Sequence, residues 1–217
     1  MEKENATHGM EDSAAQNAAN GVLQIPDGTQ FIKKEHITDR DRIHTVMLPD
    51  SVVWVEEGVF AQMPLLERVI ARGMVYRIMK RAFYNCPSLR EVILPHVVII
   101  DEEAFARCPS LERIVFGTAR EVTLGRYLFS ESAGEFTVEF AGTAQQFKKC
   151  DKAVVGQKTV GWSGDYHHPS SSHFEELKTN IYAPVFSTRS GEFVCTVRCA
   201  DGEKLIYKSV GYYEWTD

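Results

Sequence analysis

The chain is poor in the features that mark chemistry. Only five of its 217 residues are cysteine, an odd number, and none of them forms a CxxC pair or a zinc-ligand spacing. No stretch reaches the roughly 18 consecutive apolar residues of a membrane-crossing helix. Lys and Arg number 24 against 30 Asp and Glu, for a net charge of −6, so no basic excess draws the chain toward nucleic acid or an anionic membrane. There is no GxSxG, no phosphate-cradling glycine loop and no HExxH, and neither an enzyme activity nor a cofactor nor a metal is expected. Residues 1–22 lack the basic start and apolar core of a secretory signal and read as a flexible polar tail. The hydrophobic content of 44% is still enough for a folded core.

What the chain does have is a repeat. Phe60, Phe83 and Phe105 are spaced by 23 and 22 residues, and the same step links Val55, Ile78 and Ile100; Leu66, Leu89 and Leu111; and Val69, Val92 and Ile114. A period of this length marks a solenoid in which each unit packs only on its neighbours. A weaker copy precedes these three, with Ile32, Ile37, Ile43, Val46 and Leu48 each 23 residues before its counterpart. A degenerate one follows, with Val122, Leu124, Phe129, Val138 and Phe140. The total is about five rungs.

Within a rung, the segments ending in Val69-Ile70-Ala71, Val92-Ile93-Leu94 and Ile114-Val115-Phe116 alternate as half-buried strands do. A second short strand is predicted near 52–55, 75–78 and 97–100, set off from the first by Pro49 and Pro95 in two copies. The intervening -Ala-Phe-x-x-Cys-Pro-Ser-Leu- segment is predicted to be one helical or 3₁₀ turn, held by burial of its phenylalanine.

The units from Arg81 to Pro95 and from Glu103 to Ile114 resemble BspA-type leucine-rich repeats. The resemblance covers roughly residues 25–140 and implies a β-rich leucine-rich-repeat solenoid, a short right-handed superhelix with a sheet lining its concave face. It also implies surface or secreted proteins of host-associated bacteria and some protists, with roles in adhesion and protein binding and no catalysis. Met63-Pro64-Leu65-Leu66 departs from the Cys-Pro-Ser-Leu pattern, and Ala71 replaces a large residue.

The predicted organisation is a tail over 1–22, the solenoid over 23–140, and a carboxy-terminal cap, polar loop and β-hairpin over 141–217. Thr143 and Gln146 have the spacing of a capping box at the start of a short helix. Phe193–Cys199 and Lys204–Tyr207 flank Ala200-Asp201-Gly202-Glu203, a hairpin signal. Cys86 and Cys108 share one place in adjacent rungs and read as small buried fillers. Cys195 and Cys199 lie on one strand face, roughly 13 Å apart, too far to bond. His167, His168 and His173 with Asp165 sit in a Pro- and Ser-rich stretch and read as solvated loop; Ser187 and Ser190 read as turn residues.

Candidate function lies between the core positions. With Val69, Val92 and Ile114 inward, two columns face out: Arg68, Glu91 and Arg113, alternating in sign, and Ile70, Ile93 and Val115, preceded by Met47. The second is an apolar stripe where water is expected, and such surface marks a partner. A second patch is predicted from Val53-Trp54 and Val98-Ile99, interrupted by Tyr76-Arg77. The reading is a non-catalytic module that binds a protein, or less readily a glycan, with Arg68, Ile70, Glu91, Ile93, Arg113 and Val115 at the contact. The alternative is an assembly module in which a second copy of the chain covers the stripe.

Overall fold

A computed structural model describes residues 20–117, 122–132, 134–156, 187–188, 192–208 and 210–211. Most of the amino-terminal tail, the histidine loop with His167, His168, His173 and Asp165, Ser190, and the aromatic end at 212–215 lie outside the described residues.

The chain winds as a solenoid of about five turns, and each turn places one strand in each of two sheets. In chain order the strands are β1 (Val22–Gln24), β2 (Phe31–Ile32), β3 (Thr45–Leu48), β4 (Trp54–Val55), β5 (Arg68–Ala71), β6 (Met74–Ile78), β7 (Glu91–Leu94), β8 (His96–Ile100), β9 (Arg113–Phe116), β10 (Thr123–Leu124) and β11 (Glu135–Phe140). Helix α1 (Ala144–Gly156) follows, then β12 (Ser187–Thr188), β13 (Val194–Cys199), β14 (Lys204–Lys208) and β15 (Val210–Gly211). One sheet has eight strands in the order β1-β3-β5-β7-β9-β11-β13-β14, and the other has five in the order β10-β8-β6-β4-β2. Strands β1 to β13 of the large sheet run parallel, each shifted one rung.

Parallel pairing in register stacks like positions into columns, and the inward columns are the core. Leu23, Val46, Val69, Val92, Ile114, Val138 and Val197 form one column from the large sheet, all fully buried. Ile32, Val55, Ile78, Ile100 and Leu124 form its counterpart from the small sheet, also fully buried. Each such aliphatic side chain contributes at most about 1.5–3 kcal/mol of burial.

The third wall is the segment that carries the phenylalanines, and here the structure corrects the sequence reading. These residues are consecutive tight turns, not a helical or 3₁₀ turn. Left-handed backbone recurs every four residues, at Gly58 and Gln62, Arg81 and Asn85, Glu103 and Arg107, and Tyr127 and Glu131. The physical reason lies in where the N–H groups go. A helix would satisfy them within the segment, whereas here alternate N–H groups reach the next rung: Phe60 to the carbonyl of Ala82 (2.8 Å), Phe83 to Ala104 (2.9 Å) and Phe105 to Leu128 (3.1 Å). The turn wall is thus a third hydrogen-bonded ladder, and it stacks the rings of Phe60, Phe83, Phe105 and Phe129 at centroid spacings of 5.2, 5.4 and 6.3 Å.

The first rung lacks this ladder, because residues 34–36 and 40–42 form 3₁₀ turns instead. Ile37 stands 23 residues before Phe60, but its N–H turns back to Lys34 (3.2 Å). The guanidinium of Arg40 replaces the missing donors, giving hydrogen bonds to the carbonyls of Val59 (2.5 Å) and Ala61 (2.7 Å).

At the other end α1 follows β11 as β10 follows β9, and it packs against β10. Its capping box is formed as the spacing predicts: the Thr143 N–H donates to Gln146 Oε1 (2.7 Å) and the Gln146 N–H to Thr143 Oγ1 (3.2 Å). Asp201, from the hairpin turn, accepts from the Ala144 N–H (3.0 Å) and ties helix to hairpin. The hairpin β13–β14 forms as expected, with Arg198 opposite Lys204. Its place in the fold is new: β13 extends the large sheet in parallel with β11. Ser187 is not a turn residue but pairs with Val210 in the β12–β15 bridge.

Candidate interaction surfaces

All six residues singled out on the large sheet lie together in two adjacent columns. Arg68, Glu91 and Arg113 are cross-strand partners, as are Ile70, Ile93 and Val115, and Met47 pairs with Ile70. The charged column pairs with itself: Arg68 Nε donates to Glu91 Oε2 (2.9 Å) and Arg113 Nη1 to Glu91 Oε1 (2.7 Å). Arg113 also forks onto Glu139, through Nε (2.9 Å) and Nη2 (2.7 Å). Glu139 was not singled out from sequence; its signal was its place beside Val115 in the degenerate copy.

A further charged column flanks this one. Glu67 lies 3.7 Å from His44, and Arg90 pairs with Glu112 at 3.0 Å. Because Glu67, Arg90 and Glu112 adjoin Arg68, Glu91 and Arg113 in sequence, the two columns make a checkerboard of alternating sign. The electrostatics follow. Burial pushes the Glu91 carboxyl up, but the hydrogen bonds from Arg68 and Arg113 outweigh it and hold the group below its ordinary value. Glu139 is held low chiefly by the Arg113 fork. Arg113, gripped by Glu139 and Glu91, is raised.

Beside this neutralised field, Met47, Ile70, Ile93 and Val115 form an apolar stripe, half-buried in each case. At the spacing of neighbouring strands it is about 15 Å long. Gln24 bounds it at one end and Glu139 at the other. A shallow cleft lined by Gln24, Pro26, Met47 and Arg72 opens at the Gln24 end.

The small sheet carries the more exposed apolar surface. Phe31 pairs with Trp54, which pairs with Arg77, then Ile99. Phe31 is 42% exposed, Trp54 41% and Tyr76 42%, and the Phe31 and Trp54 rings meet edge to face at 5.2 Å. Tyr76 adds an exposed aromatic to the patch it was expected to interrupt, while Arg77 turns aside into a two-point bond with Asp101 (2.7 and 3.0 Å). Phe31 escaped the sequence reading although it stands 23 residues before Trp54.

The shared cysteine position does more than fill space. Cys86 Sγ donates to the Phe60 carbonyl (3.1 Å) and Cys108 Sγ to that of Phe83 (3.3 Å). One rung on, Ser132 Oγ does the same for Phe105 (2.8 Å). Burial pushes the Cys86 thiol up to about 11 and Cys108 well above the ordinary value, so both stay protonated donors rather than nucleophiles. All five thiols are free.

A ladder of short rungs with two sheet faces and a turn wall defines a leucine-rich-repeat solenoid, a class built to present surfaces to other proteins. The sequence matches the BspA type leucine rich repeat region in six copies over residues 11–135, and the chain belongs to that family. It is a protein-interaction repeat module. No curated protein and no solved structure matches the chain.

Proposed function

We propose that this chain binds a protein partner, without catalysis, through the outer face of the eight-stranded sheet, with Arg68, Ile70, Glu91, Ile93, Arg113 and Val115 at the contact. The observation that carries this reading is the apolar stripe running across four rungs beside charges that are already paired. A partner that covers Ile70, Ile93 and Val115 gains apolar burial. It meets arginines already held by glutamates, so little side-chain freedom is lost on binding.

One observation favours a second reading. Phe31, Trp54 and Tyr76 on the five-stranded sheet are more exposed than the stripe, and Trp, Tyr and Arg dominate protein interfaces. The two faces separate by mutation once a partner has been identified by capture from cell extract. Ile93→Glu is expected to abolish its binding while leaving the fold intact, and Trp54→Ala to leave it unchanged. The opposite pattern moves the contact to the small sheet. A concentration-dependent dimer in light scattering, lost in Ile93→Glu, assigns the stripe to a second copy of the chain.

A further inference from the structure

Strand β14 ends the eight-stranded sheet, and no described strand pairs with its outer edge. The Cys199 N–H donates to the Glu203 carbonyl (3.0 Å), one step from the opposed pair Arg198–Lys204. Hydrogen-bonded and non-hydrogen-bonded pairs alternate along an antiparallel ladder. The pairs Val197–Leu205 and Cys195–Tyr207 therefore close the hairpin, and the N–H and C=O groups of Lys204, Ile206 and Lys208 point to the free edge. The side chains of the same three residues face out. Both lysines are exposed, and Ile206, at 69%, is the most exposed large apolar side chain of the described residues.

The charge at this edge selects among occupants. Arg198 is exposed on the neighbouring strand, and Lys148 lies near Cys199. Among the described residues neither Lys204 nor Lys208 nor Arg198 forms an ion pair, and Arg198 acts only at a distance, on Glu139. Asp201 is engaged with the Ala144 N–H. This end is therefore locally basic on a chain whose net charge is −6. A second copy of β14, paired antiparallel about Ile206, would set Lys204 against Lys208, and like charges directly opposed are destabilising. An acidic strand meets no such penalty.

We propose that the free edge of β14 accepts an extended segment of a partner protein as a ninth strand, with an acidic side chain opposite Lys204, an apolar one opposite Ile206 and an acidic one opposite Lys208. The intervening residues of that segment lie beside the half-buried Leu205 and Tyr207 and are small and apolar. Backbone hydrogen bonds supply affinity and the alternating side chains supply selectivity. This edge is separate from the sheet faces above, and its test does not depend on them.

The probe is a labelled synthetic peptide, Ac-Ser-Glu-Val-Ile-Val-Glu-Ser-NH2, titrated by fluorescence anisotropy against the full chain. Saturable binding that weakens with added salt is expected. A version with both Glu replaced by Lys is expected to bind about tenfold more weakly. In the Lys204→Glu/Lys208→Glu variant the preference is expected to reverse, which separates lost binding from lost folding. Ile206→Pro removes an N–H that faces the edge rather than β13, so it leaves the hairpin intact by circular dichroism and abolishes binding. Equal binding of the acidic and basic peptides overturns the proposal, as does unchanged binding to Ile206→Pro. A dimer of the unmodified chain that Ile206→Pro disperses overturns it in favour of a second copy.

Discussion

Removing the Phe83 side chain is the sharpest test of how the rungs hold together. Phe83 is fully buried and stacks between Phe60 at 5.2 Å and Phe105 at 5.4 Å, with interplanar angles of 10° and 9°. Truncating a buried phenylalanine to alanine costs about 3–5 kcal/mol through lost transfer energy and a residual cavity. Each aromatic neighbour adds about 0.5–1.5 kcal/mol beyond burial, and Phe83 has a ring on both sides, so Phe83→Ala is expected at the upper end, about 4–5 kcal/mol. Phe60 stacks on Phe83 alone within this ladder, the place one rung earlier being held by Ile37. Phe60→Ala should therefore be milder by about 1 kcal/mol. Phe83→Leu keeps most of the apolar volume, loses both ring contacts and is expected to cost about 1–2 kcal/mol. Urea unfolding followed by circular dichroism and by tryptophan fluorescence measures all three. A Phe83→Ala effect no larger than that of Phe60→Ala, or one below about 1 kcal/mol, would mean that the rings do not form the spine of the stack.

Two further expectations concern charge. Arg40→Met removes the donors to the Val59 and Ala61 carbonyls and should destabilise the chain by about 2–3 kcal/mol; a neutral result in the same unfolding assay would mean that water replaces the guanidinium without loss. Glu91 and Glu139 are held below their ordinary value when folded, so their contribution is fully present above the unfolded glutamate value of about 4.3 and is lost as pH falls through the lowered folded values. Melting temperature should drop on acidification below that point, and Glu91→Gln should flatten the drop; an unchanged slope in the variant would refute the assignment.

Much of this was legible in the sequence because its causes are local or repeat at a fixed step. The period of 22 or 23 residues, the alternation along β5, β7 and β9, the Thr143–Gln146 box and the Asp201-Gly202 hairpin turn each follow from residues near one another in the chain. The two columns through Arg68 and Ile70 followed as well, because parallel strands in register place equal repeat positions side by side.

What the sequence by itself determined is the repeat, its core positions and the strands that face outward. Only the tertiary structure decided which rung satisfies which backbone group. The turn segments looked helical because their composition suits a helix, but their N–H groups find carbonyls 22 or more residues away, a partner that no local pattern names. The same holds for Arg40, which stands in for a missing ladder, and for β13, whose sequence marks a hairpin but not the sheet it joins. Exposure was decided there too. Ile70 and Tyr76 are both outward by alternation, yet packing between neighbouring rungs half-covers the first and leaves the second open. Periodicity fixes the direction in which a side chain points, whereas its accessibility depends on neighbours brought in from other rungs.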